Sequence, residues 1–142
     1  MKIIFITTKS LTFNTFLRTQ ADYFIKKGLS VEVACSDIEK LNFKNNLKYK
    51  IDFPNKISHL FNLIRYLNIY FQIKKIVKKN QSTIFYLHTP VASHFFRIFT
   101  FFDKLKIIYF VHGFRFTSIT NSIKAFFFKT IEKVLSFKTD MF

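Results

Sequence analysis

Thr83-Ile84-Phe85-Tyr86-Leu87 runs straight into His88-Thr89-Pro90 and then Val91-Ala92-Ser93-His94. The first five residues read as a strand that is apolar on both faces. The next three form a polar turn, and residues 91–102 read as a helix. A buried strand passing directly into a helix is the repeating unit of a parallel sheet covered on both sides. The same alternation extends outward in both directions. Upstream, residues 3–7 are a short apolar strand, and residues 16–27 are an amphipathic helix. That helix carries Phe16, Leu17, Ala21, Phe24 and Ile25 at spacings of three and four, with Gly28 at its C-cap. Residues 31–35 are a second strand, closed by the polar turn Ser36-Asp37. Residues 48–53 alternate and stop at Pro54, which predicts an edge strand.

Residues 60–79 form the longest periodic segment. Leu60, Leu63, Ile64, Leu67, Phe71, Ile73, Ile76 and Val77 are expected to form one apolar stripe. Arg65, Lys74, Lys75, Lys78 and Lys79 lie mostly away from it. Downstream, residues 106–111 are a fifth strand and 123–137 a last helix, and Thr139-Asp140-Met141-Phe142 resembles the approach to a further strand. Right-handed crossovers and two-sided wrapping predict an α/β fold. It is a single Rossmann-like, doubly wound parallel sheet of order 3-2-1-4-5 with helices on both faces. Ligands then bind beyond the carboxyl ends of the strands, where the order switches between strands one and four.

The 142 residues suit one domain, and 49% of them are apolar, which excludes a disordered chain. Two Gly and two Pro leave no room for collagen-like or linker sequence. One cysteine, Cys35, excludes an internal disulfide framework and a multi-cysteine zinc site. The heavy use of Lys, Phe, Ile and Asn is the skew of an AT-rich genome and accounts for part of the charge. With 23 basic against 8 acidic residues the net charge is +15, which attracts nucleic acid or an anionic membrane leaflet. The apolar run at Ile3–Ile6 is too short for a signal peptide. Residues 95–116 are interrupted by Arg97, Asp103, Lys104, Lys106, His112 and Arg115, so no spanning helix is predicted. The expected location is the cytoplasm, or the cytoplasmic face of a membrane.

Three polar segments fall at the carboxyl ends of strands: Thr7-Thr8-Lys9-Ser10-Leu11-Thr12, His88-Thr89-Pro90, and His112-Gly113-Phe114. Histidines at matching ends of strands four and five can face one crevice, although a lone histidine is more often structural. A zinc pair at His88 and His112 lacks a third ligand. Cys35 has no histidine near it in sequence. No Gly-x-Ser-x-Gly elbow, phosphate loop or dinucleotide fingerprint exists, because Gly28 and Gly113 are the only glycines.

The ordered set Thr7-Thr8-Lys9-Ser10, Val31-Glu32-Val33-Ala34-Cys35-Ser36, His88-Thr89-Pro90-Val91-Ala92-Ser93, His112-Gly113-Phe114 and Ile131-Glu132-Lys133-Val134-Leu135-Ser136 resembles the N-terminal half of a retaining GT-B glycosyltransferase of family 4. This is the kind found in capsule and exopolysaccharide clusters. The resemblance implies two facing Rossmann-like domains. The N-terminal one takes an acceptor, often a sugar on a polyprenyl diphosphate, and the C-terminal one takes a nucleotide sugar, with no metal or other cofactor. It implies His112 as the catalytic residue beside the transferred sugar. Gly113 admits the backbone to the sugar, with Phe114 following in the same substrate-binding turn. Ser10 and Thr12 would face the donor diphosphate, and His88 and Thr89 would line the acceptor crevice. Lys74, Lys75, Lys78 and Lys79 would contact the anionic inner face of the membrane.

Relatives usually place Gly where this chain has Leu11, and often His where it has Arg115. The donor-binding domain lies outside residues 1–142. The chain alone is therefore expected to be inactive, as a truncated product or as one subunit of a split enzyme with a separate donor-domain chain. The alternative is a basic single domain that binds nucleic acid or a small ligand. No recognition helix or RNA-binding strand motif supports that reading, so no nucleic-acid partner is expected.

Overall fold

Four short apolar segments and one Lys-Tyr-Lys edge segment pair into one sheet in the computed structural model, which describes residues 1–44, 48–54, 63–80, 82–111 and 122–140. They are β1 (Lys2–Ile6), β2 (Ser30–Cys35), β3 (Lys48–Lys50), β4 (Thr83–Leu87) and β5 (Lys106–Tyr109). The order is β3-β2-β1-β4-β5 and every pairing is parallel, as the alternation predicts. β3 is the expected edge strand but ends at Lys50. Ile51 and Phe53 beyond it are fully buried all the same.

Side chains alternate between two cores. Ile4, Ile6, Phe85, Leu87, Ile107 and Tyr109 face one way, under α3 (Leu63–Lys79) and α4 (Pro90–Phe99). Ile3, Phe5, Val31, Val33, Cys35 and Tyr86 face the other. There they meet Phe13, Leu17 and Ala21 from α1 (Ser10–Thr12), a π-helical segment (Phe13–Leu17) and α2 (Arg18–Lys26). Helices therefore cover both faces, and α5 (Ser122–Ser136) packs beside α4.

Three expectations are corrected. The first helical stretch begins at Ser10 rather than residue 16. Its π segment turns Phe13 and Leu17 into the core and leaves Phe16 outside at 69% exposure, so Phe16 is not part of the buried stripe. At its far end Gly28 has φ of 80°, with Gly28 N–H bonded to the Ile25 carbonyl and Leu29 N–H to that of Phe24. This is the glycine-terminated Schellman arrangement that the sequence implies.

Second, the apolar residues of α3 do not form one stripe. Ile69, Ile73, Ile76 and Val77 are buried, whereas Leu63, Ile64, Leu67 and Phe71 are exposed. They occupy different faces because the run between residues 63 and 77 contains more apolar residues than one face of a helix can hold. Third, Ser10 and Thr12, expected in the polar segment that follows the first strand, lie in a helical turn. Residue 60 of the predicted stripe lies outside the described residues. After α5, Asp140 N–H donates to the Ile107 carbonyl at 2.9 Å, and Ile107 N–H donates to the Asp140 carboxylate at 2.6 Å. Thr139-Asp140 thus meets the outer edge of β5, where the approach to a further strand was expected; Met141 and Phe142 lie outside the described residues. Among the described residues no helix is long and apolar enough to cross a membrane.

Candidate functional site

The strand ladder continues one residue past β1 and β4. Thr7 N–H donates to the Ala34 carbonyl and His88 N–H to that of Ile6. This brings the turns after β1, β2 and β4 together at the carboxyl edge of the sheet. Thr8 is held from both sides. Its N–H donates to Thr89 Oγ1 at 3.0 Å, and the two hydroxyls are 2.7 Å apart. Its carbonyl accepts from Ser36 Oγ at 2.6 Å and from Ser36 N–H at 3.2 Å.

Thr89 precedes α4 with φ of 26°, the one non-glycine residue with positive φ among those described. Pro90 opens the helix, yet the Thr89 hydroxyl does not cap it. That hydroxyl serves Thr8 instead, so a sparsely populated backbone conformation is held in place by its surroundings. Such residues concentrate at functional sites.

The predicted substrate residues are distributed as follows. Ser10 is 2% exposed, and its N–H donates to Asp37 Oδ1 at 2.7 Å, with Lys9 Nζ 4.0 Å from the same carboxylate. Leu11 projects outward at 71% exposure, and Thr12 is half-buried beside it. His88 is fully buried. Its ring stacks on Phe5 at 5.4 Å and 3° and packs against Tyr86 at 4.4 Å and Phe110 at 6.0 Å. The imidazole therefore lies in the core on the Phe5 face, beneath the Thr8–Thr89–Ser36 contacts. Phe110 N–H donates to the Leu87 carbonyl, which carries β5 toward the same edge. His112, Gly113 and Phe114 lie outside the described residues. Cys35 is buried in the sheet, which pushes its thiol up to about 11 and keeps it protonated and non-nucleophilic. Among the described residues no three His, Cys, Asp or Glu side chains gather as metal ligands would.

The four lysines of α3 divide. Lys74 Nζ lies 2.5 Å from Asp103 Oδ2 and 5.7 Å from the Tyr70 ring centre. Lys75, Lys78 and Lys79 are exposed.

Two features escape the sequence reading. Asp37 figures there only as part of a turn, whereas it anchors the start of α1. Arg97 figures only as an interruption of an apolar stretch, whereas it is fully buried. Its guanidinium donates to Glu132 Oε2 at 2.8 Å and lies 4.4 Å from the Tyr109 ring centre, while His94 Nε2 is 2.8 Å from Glu132 Oε1. Burial alone would raise the Glu132 pKa, but the hydrogen bonds of His94 and Arg97 outweigh it and hold the carboxyl below its ordinary value. Burial, with Glu132 nearby, pushes Tyr109 up to about 12. The available signal was a single arginine among Phe95, Phe96, Ile98 and Phe99, a setting in which a charge needs a partner.

The family profile described as "Glycosyl transferase 4-like" matches residues 2–142. The chain belongs to the glycosyl transferase 4-like family. A search of curated proteins returns no match. Among solved structures it is similar to a protein from Listeria monocytogenes described as a UDP-N-acetylglucosamine 2-epimerase, with TM-score 0.63 and 13% identity. It is also similar to Acinetobacter baumannii MurG, with TM-score 0.62 and 9% identity. At these identities the likeness is one of fold. It covers 100% and 98% of this chain but only 38% and 39% of those two, so the glycosyl transferase 4-like chain spans under two fifths of their length.

Proposed function

We propose that residues 1–142 form the acceptor-binding, N-terminal half of a retaining GT-B glycosyltransferase. The complete enzyme moves a sugar from a nucleotide sugar to a lipid-linked glycan in surface polysaccharide synthesis. The observation that carries this reading is the family match over residues 2–142. The meeting of the turns after β1, β2 and β4 at Thr8, Ser36 and Thr89 supports it, because open parallel sheets bind ligands at that edge. Thr89 lines the acceptor side, and His88 supports the crevice from below. Thr12 faces the donor half from the start of α1, and the buried Ser10 supports that turn from beneath. His112, from the turn after β5, stabilises charge that develops on the transferred sugar, with Gly113 and Phe114 completing that turn. A second domain supplies the nucleotide-sugar site, and the reaction needs no metal. The chain works at the inner face of the cytoplasmic membrane, where its lipid-linked acceptor lies. Family membership favours this reading over a nucleic-acid-binding module.

The test pairs the chain with a matching donor-binding domain. Residues 1–142 alone should transfer no sugar. In the reconstituted enzyme His112→Ala should lower kcat by roughly 10²-fold with the melting temperature unchanged. Turnover by the isolated chain, or a His112→Ala variant that loses stability but keeps its turnover per folded molecule, would overturn the reading.

A further inference from the structure

Two adjoining clefts flank the C-terminal half of α3 and include none of Thr8, Ser36 and Thr89. One, of about 300 Å³, lies between α3 and β3 and is lined by Lys48, Tyr49, Lys50, Lys75 and Lys79, among others. The other, of about 390 Å³, lies at the amino ends of β1 and β4 and is lined by Lys2, Lys78, Lys79 and Thr83, among others. Lys79 borders both.

The floor between them is a fixed polar network. Glu32 is fully buried. Its Oε1 forms an ion pair with Lys2 Nζ at 2.8 Å, and its Oε2 accepts from the Tyr49 hydroxyl at 2.9 Å. Asn80 accepts from Lys2 at 3.0 Å and donates to the Ile76 carbonyl at 2.8 Å, which ties the end of α3 to this floor. The one buried carboxylate nearby is therefore already occupied. Asp52 lies 3.8 Å from Lys50. Among the described residues no carboxylate comes within ion-pair distance of Lys75, Lys78 or Lys79.

Charges of one sign around a concavity focus the field and favour a compact counter-ion. A lysine ammonium is a point-charge partner for phosphate. We propose that these clefts bind a multiply charged phosphate group, a phosphomonoester or diphosphate, through Lys75 and Lys79 from α3, with Lys48 and Lys78 at the rims. Such a group comes from a lipid headgroup or from a soluble phosphate compound. The site is a shallow lysine-lined depression over the Lys2–Glu32–Tyr49–Asn80 contacts, so a compact multiply charged group meets several ammonium groups at once. It does not depend on the sugar-transfer reading, since it uses neither the Thr8–Thr89–Ser36 contacts nor the turn after β5.

The experiment titrates the 142-residue chain with pyrophosphate at low ionic strength, read by calorimetry and by amide shifts. Saturable binding is expected, with shifts centred on residues 48–50 and 75–80. The double variant Lys75→Gln/Lys79→Gln should weaken it about tenfold or more. Lys26→Gln/Lys27→Gln removes the same charge from the end of α2 and should leave it within about twofold. A vesicle arm separates the two sources. Preference for phosphatidic acid over phosphatidylglycerol, reversed by pyrophosphate, assigns the phosphate to a lipid. Pyrophosphate binding without that preference assigns it to a soluble compound, and both results support the site. Absence of saturation, or equal weakening by the two lysine pairs, overturns it. Neither result bears on the His112 test.

Discussion

Thr89 holds a left-handed φ of 26° while its hydroxyl contacts both the N–H and the hydroxyl of Thr8. Two substitutions separate these contributions. Thr89→Ala loses the hydrogen bonds, about 1 kcal/mol each, and keeps the strain. Thr89→Gly loses the same bonds but releases about 1–3 kcal/mol of strain, against roughly 1 kcal/mol of added chain entropy. The glycine variant should therefore unfold at higher denaturant than the alanine variant, by about 1 kcal/mol, in matched urea melts. The reverse order would mean that the backbone there is unstrained. Sequence could place His88-Thr89 at the right edge, because the apolar run of β4 fixes where the strand ends. It could not show that the imidazole would be buried. His88 continues the alternation of Tyr86, so its side chain falls on the Phe5 face and not in the crevice.

At the scale of elements, the Arg97–Glu132–His94 cluster joins α4 to α5. Breaking a buried pair leaves an uncompensated charge, so Arg97→Ala should cost about 3 kcal/mol and lower the melting temperature by on the order of 10 °C. Glu132 has a lowered pKa, so its stabilising contribution is present above the unfolded carboxylate value of about 4.3 and is lost as pH falls through the folded value. Acid melts should show the parent protein losing stability through that window, and Glu132→Gln changing less there. Helix α3 offers a second measurement. Ile69→Ala should cost roughly 2–5 kcal/mol, whereas Phe71→Ala, at 64% exposure, should stay within about 0.5 kcal/mol. Similar losses would restore the single-stripe reading. Element types and strand order were legible because buried parallel strands are nearly uninterrupted apolar runs. The start of α1 and the facing of α3 were not. A π segment shifts the helical phase, and an apolar surplus leaves the choice of inner face to packing.

Across the whole molecule, net charge of +15 and the exposed lysines at the end of α3 set the expected behaviour at membranes. Each basic residue near an anionic surface contributes about 1 kcal/mol, attenuated beyond a Debye length. The domain should sediment with phosphatidylglycerol vesicles at low salt, leave them as salt rises, and ignore neutral vesicles. Charge reversal at Lys74, Lys75, Lys78 and Lys79 should abolish the association. Equal binding to neutral and anionic vesicles would instead mean that the lysines only solvate α3. The central position of β1 also bears on how the protein is made. Its partner on one side, β2, follows closely in the chain, but the Thr8–Thr89 contact on the other side spans 81 residues. At 5–20 residues per second the ribosome needs roughly 4–16 s to deliver that second partner. Throughout that interval the β4-facing edge of β1 stays unpaired, so the nascent chain carries an apolar strand open to wrong pairing on that side.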